Sequence, residues 1–183
     1  DALPISVDIY RPGGLDPGMV EYLARKETID AEGFNKTVNF QSGLLGVSET
    51  SSDMRILLDH EKQDIRAREA VEIFCYQVKK WIGSFAAVLG GLDQLVFAGG
   101  IGENAPVVRS RICTGLEFLG IELETTQNDT NAGVISSDRG PVTVRVIHTD
   151  EELTIARSVV SLLNARTSKV AVGETSAHKG DAP

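Results

Sequence analysis

Leu95-Val96-Phe97-Ala98-Gly99-Gly100-Ile101-Gly102-Glu103-Asn104 sets an apolar run against three glycines, a glutamate and an asparagine. The β-branched and aromatic residues of the run suit a short strand buried on both faces. The glycines remove side chains where the chain must turn sharply or let a ligand come close. Asn104 is placed to cap a following helix, with Pro106 in its first turn. That helix carries Val107, Val108, Ile112, Leu116 and Leu119 at helical spacing and is expected to stop at Gly120. Exposed N–H groups at such a helix start favour phosphate or another polar ligand. Gly-Gly-Ile-Gly matches neither the dinucleotide fingerprint nor the phosphate loop that ends in Gly-Lys-Ser/Thr. On local grounds alone, a tight turn also explains the glycines.

Upstream, Ala67, Ala70, Val71, Phe74, Val78, Ile82, Phe85 and Leu89 recur at three- or four-residue steps and predict a long helix ended by Gly90-Gly91. Its second half adds Trp81, Ala86, Ala87 and Val88, so it is apolar nearly all round and expected to be buried on several sides. Ser51 or Ser52 is expected to cap a helix bearing Met54, Ile56, Leu57 and Leu58, and Asp16 one bearing Met19, Val20, Tyr22 and Leu23. Between these two helices lies a polar stretch holding Phe34, Val38 and Phe40. Downstream, Val142, Val144 and Val146 alternate with Thr143, Arg145 and Ile147 as a strand, before a last helix from about Asp150 to Leu163. After Asn164 the apolar periodicity fades, and residues 167–183 are expected to form a mobile tail.

At 42% hydrophobic and 24% charged residues the composition fits a mixed α/β piece of a globular protein. A net charge of −8 argues against a general nucleic-acid binder, because phosphate backbones reward clustered lysine and arginine. No apolar run approaches the roughly 20 residues of a membrane-spanning helix. Cys75 and Cys113 sit at apolar helical positions and read as core thiols of a reducing cytoplasm, with no paired Cys/His spacing for zinc.

Several separate segments occur in a familiar order: Arg11-Pro12-Gly13-Gly14-Leu15-Asp16-Pro17-Gly18, Ser42-Gly43-Leu44-Leu45-Gly46, Ser51-Ser52-Asp53-Met54-Arg55 and Gly99-Gly100-Ile101-Gly102-Glu103-Asn104. Arg109, Arg111, Gly115-Leu116-Glu117-Phe118-Leu119-Gly120-Ile121, Asn131-Ala132-Gly133 and Thr149-Asp150-Glu151-Glu152-Leu153 follow. Over about residues 9–163 the sequence closely resembles the acetate and propionate kinase family. The resemblance implies the actin-like, sugar-kinase-like α/β architecture, and a reversible transfer of the ATP γ-phosphoryl group to acetate that gives acetyl phosphate and ADP. It also implies a cytoplasmic homodimer that binds neither nucleic acid nor membrane.

Residue by residue, the resemblance implies adenine-nucleotide contacts at Gly100, Ile101, Gly102, Glu103 and Asn104 and at Asp53, Met54 and Arg55, where Met54 replaces the usual Phe or Leu. It makes Arg11 the stabiliser of charge on the transferring phosphoryl group and Glu151 a ligand of Mg²⁺. Without the resemblance, Asp53 and Arg55 read as a solvated pair, Arg11 as a surface residue and Glu151 as a first-turn helix charge.

Family members are roughly twice this long, so the chain is expected to be their C-terminal part, without the acceptor pocket and the catalytic aspartate. The expected division is a non-native scar at 1–6, a partial nucleotide-binding domain at 7–151, a helix at 152–166 packing toward the other lobe, and the tail. Two alternatives stay open: a propionate kinase, and a noncatalytic nucleotide-binding or dimerisation module. A butyrate kinase is disfavoured by Gly-Ile-Gly-Glu-Asn.

Overall fold

A computed structural model describes residues 17–26, 29–150 and 155–163. Arg11, Glu151, the suspected scar and the expected tail lie outside the described residues. Two compact units divide the chain, one through Ile147 and one from His148 onward.

The first unit is organised around one long helix. Its elements run α1 (Pro17–Lys26), α2 (Ala31–Phe40), α3 (Gly43–Ser48), α4 (Met54–His60), α5 (Ile65–Leu89), β1 (Gln94–Phe97), α6 (Gly99–Asn104), α7 (Pro106–Cys113), α8 (Thr125–Asp129) and β2 (Thr143–Val146). The Asp64 side chain starts α5 by accepting from the N–H groups of Arg66 and Ala67, and Gly90 closes it in a left-handed conformation. Ala67, Ala70, Val71, Phe74, Cys75, Ile82 and Ala86 form its buried stripe, against which α3, α4 and α7 pack. Leu57, Val108, Ile112, Ile121, Ile135, Val142 and Val144 are among the residues that share this core. Burial pushes the Cys75 thiol up to about 11 and the Cys113 thiol to about 12, as expected of inert core cysteines. The Arg111 guanidinium ties α7 to the end of α4 with a two-pronged contact to Glu61, at 2.7 and 2.8 Å.

β1 and β2 pair in parallel, in register from Gln94 opposite Thr143 to Phe97 opposite Val146. The far edge of β2 meets Val134 through an antiparallel bridge to Arg145, with Ile135 N–H donating to the Val144 carbonyl at 2.8 Å. Among the described residues β1 has only β2 as a partner strand. β1 is not buried on both faces: Phe97 is buried, but Val96, on the opposite face, is 43% exposed.

Four further expectations are corrected. The polar stretch contains helix α2, started by Asp30, whose carboxylate accepts from Gly33 N–H at 2.7 Å; its apolar signal is only Phe34 and Val38, four residues apart and half-buried. α5 is not enclosed along its second half, where Val88 and Leu89 are 80% and 71% exposed. The helix after the glycines ends at Cys113, followed by a 3₁₀ turn over Glu117–Leu119. Gly120 follows that turn at φ +84°, and a Cβ there would sit 2.5 Å from Pro141 Cγ. Asn104 caps nothing downstream, because the glycine run is itself helical and Asn104 is its last residue; Ala105 precedes α7 instead.

In the second unit residues 155–163 are helical, and Ile155, Val159, Val160, Leu162 and Leu163 are exposed. No described helix is long and apolar enough to cross a membrane.

Candidate functional site

A serine-rich turn builds the first wall of a cleft that joins two of the segments singled out in the sequence. Buried Ser48 donates its hydroxyl to the Ser51 carbonyl at 2.8 Å and accepts from the N–H groups of Thr50 and Ser51. Ser51 Oγ in turn accepts from Asp53 N–H at 3.0 Å, which sets Asp53 at the mouth of α4. Asp53, not a serine, is therefore the cap: its Oδ1 accepts from Arg55 N–H at 2.9 Å. The Arg55 guanidinium folds back onto the same carboxylate, with Nε 3.0 Å from Oδ1 and Nη2 2.6 Å from Oδ2. Met54 is buried and joins this wall to the core.

The Arg55 side chain, followed by its backbone N–H, holds the Asp53 carboxyl down from 3.8 to about 2. A lowered carboxylate contributes stability that is present above its ordinary range and lost as the pH falls through the folded value. A carbon-detected carboxylate titration is expected to place Asp53 near 2, and Arg55→Ala to return it toward 3.8; a wild-type midpoint near 3.8 would remove the pair.

The glycine run forms the second wall. α6 starts directly after β1, and its N–H at Gly99 is taken by Glu103 Oε1 at 2.9 Å. Asn104 Nδ2 donates to the Gly100 carbonyl at 3.0 Å. Gly102 lies against β1: a Cβ there would stand 3.3 Å from the Phe97 carbonyl carbon. Behind this wall, buried Arg109 donates to the carbonyls of Gly102 and Glu103.

Between the walls lies a cleft of about 570 Å³, within the range of small-molecule sites. It brings together Asp53, Met54, Arg55, Gly100, Ile101 and Asn104 from the two sequence segments. Gly102 and Glu103 do not line it; they support the wall from behind. Ser52, Leu58, Ala105, Pro106 and Val107 complete the lining, and each borders a segment already singled out or lies one turn from it. Met54, Leu58, Ile101, Ala105, Pro106 and Val107 give an apolar surface with an arginine at its rim, a combination suited to a flat ring joined to an anionic group.

The sequence profile of the acetokinase family matches residues 9–157. An acetate kinase of Solibacter usitatus (strain Ellin6076) is 45% identical over 155 residues, which cover 82% of the chain and 37% of that protein. The crystal structure of Porphyromonas gingivalis acetate kinase superposes with a TM-score of 0.77 at 41% identity, covering 85% of the chain and 40% of its own. A propionate kinase from Francisella tularensis subsp. tularensis SCHU S4 gives 0.74 at 36% identity, covering 81% and 38%. The chain thus spans about two fifths of the length of these relatives and carries the corresponding part of their actin-like, sugar-kinase-like fold. A profile match over most of the sequence, on the same segments that meet in the cleft, shows that the chain belongs to the acetokinase family.

Proposed function

We propose that the chain supplies the nucleotide-binding part of an acetate kinase, a phosphotransferase with a carboxyl acceptor. The observation that carries this reading is the single cleft that joins Asp53-Met54-Arg55 to Gly100, Ile101 and Asn104. In this reading the apolar wall takes the adenine nucleoside and Arg55 lies on the phosphate side. A carboxylate oxygen of acetate attacks the γ-phosphorus of ATP, its bond to the bridging oxygen breaks, and ADP leaves with that electron pair. The protein's tasks are positioning and charge stabilisation, and Arg11 is assigned to the three equatorial oxygens of the transferring group.

Mg²⁺, when bound, neutralises charge between nucleotide phosphates. Among the described residues no group of three or more His, Cys, Asp or Glu could hold a metal ion. Asp53, the carboxylate of the cleft, has both oxygens on Arg55. The described cleft does not by itself fit the ion; Glu151 is proposed as its ligand on the family resemblance, and no step is routed through the metal. A cytoplasmic homodimer is proposed on the family resemblance.

Propionate as acceptor is the second reading, favoured by the likeness to a propionate kinase structure. One methylene in an apolar pocket is worth only about 1–3 kcal/mol. Hydroxamate assays of the full-length protein with ATP and acetate, propionate or butyrate decide between them, with acetate expected to give the highest kcat/KM. ADP binding without transfer to any carboxylate would leave the noncatalytic module. The 183-residue chain alone is expected to show no turnover, and robust turnover from it would overturn its assignment as an incomplete catalyst.

A further inference from the structure

Arg109 is the largest fully buried side chain among the described residues, at 0% exposure. Its Nε donates to Asn128 Oδ1 at 2.8 Å, its Nη1 to the carbonyls of Gly102 and Glu103 at 2.8 and 3.0 Å, and its Nη2 to the Asn128 carbonyl and Asn131 Oδ1 at 2.6 Å each. All five acceptors are neutral oxygens. Burying a guanidinium on neutral partners is costly, and an apolar side chain would fill the space at less expense if packing were the only requirement.

A fork of donors can do what an apolar group cannot. α6 has six residues, three of them glycine, and its side-chain ties to Gly99 and Gly100 come only from its own Glu103 and Asn104, so it has little intrinsic tendency to hold its shape or place. Arg109 grips its last carbonyls. Asn128, oriented by Arg109, donates through Nδ2 to the Pro106 carbonyl at 3.0 Å and to Ser110 Oγ at 3.1 Å, which pins the start of α7. Ile101 and Asn104 on one side of this grip, and Pro106 and Val107 on the other, line the cleft. Asn131 accepts from Arg109 while held at φ +53°, a left-handed conformation uncommon for a non-glycine residue.

We propose that Arg109 is the positioning residue of the nucleotide wall, fixing the end of α6 and, through Asn128, the start of α7 in the geometry that receives the nucleotide. This rests on the nucleotide reading given above. Lysine keeps the charge but loses the fork, so Arg109→Lys separates the two properties. In the full-length protein, calorimetry well below the melting temperature is expected to show ADP binding weakened by roughly tenfold or more in Arg109→Lys, because the wall is no longer preorganised. Asn131→Gly removes one acceptor without a left-handed penalty and is expected to weaken ADP by about threefold.

A folded Arg109→Lys variant with a lower Tm and wild-type ADP affinity would reduce Arg109 to a core-filling residue and overturn the proposal. Should that variant fail to fold, Asn131→Gly decides, and unchanged affinity there overturns it equally. Absence of ADP binding in the wild-type protein would instead sink the nucleotide reading itself, and the positioning role with it.

Discussion

Gly102→Val is expected to weaken ADP binding at least tenfold in the full-length protein while lowering its stability by about 1–3 kcal/mol, the usual cost of overpacking. The glycine does not touch the cleft, so direct contact is not the cause. A Cβ at this position would stand 3.3 Å from the Phe97 carbonyl carbon and 3.5 Å from Phe97 Cβ, and the valine methyls reach further. Since β1 is held by β2 through its parallel pairing, α6 is the element that gives way, and the wall formed by Gly100, Ile101 and Asn104 moves with it. Calorimetry paired with thermal unfolding checks both numbers. Wild-type affinity in the valine variant would show that the α6–β1 contact does not set the wall.

Arg11→Ala carries the second large effect. A transition-state arginine in phosphoryl transfer is worth about 10³-fold or more, so kcat of the full-length enzyme is expected to fall by that order while the KM for ATP changes by no more than about threefold. An interaction made mainly with the transferring group costs turnover; one made uniformly with bound nucleotide would raise KM instead. Near-normal turnover would refute the assigned role, and a rise in KM alone would move Arg11 to the ground-state nucleotide contacts.

The elements most legible in the sequence were those whose burial this chain completes by itself. The stripe from Ala67 to Ile82 on α5 and the alternation of Val142, Val144 and Val146 both face the core, so their periodicities survive in the structure. Elements that bury little, or that leave a sheet face open, were misread. α2 buries no residue fully, and only the Asp30 cap and the half-buried pair Phe34 and Val38 mark it. Val96 looked like a core residue because an apolar run does not say whether both faces of its sheet are covered. The serines before Met54 proved to be the scaffold that orients the cap, not the cap, since Ser48 and Ser51 spend their hydroxyls on the turn.

At the candidate site, family likeness selected the two segments, and the fold places six of their residues around one cleft. The Arg109 network was less legible. An arginine between Val108 and Ser110 looks like a solvated helix residue, yet Val108, Arg109, Ile112 and Cys113 form one buried face, so its position beside the apolar stripe was the available signal. Asn131 belonged to a recognised segment, but its use as an acceptor for Arg109 depends on tertiary contact that spacing does not encode.

The central claim is that two distant segments form one nucleotide cleft, and hydrogen–deuterium exchange of the full-length protein with and without ADP tests it most directly. ADP is expected to slow exchange together in peptides covering residues 52–58 and 100–107, and to leave those covering 89–94, which line a separate surface cleft, unchanged. Protection of one segment without the other, or protection confined to 89–94, would contradict the account.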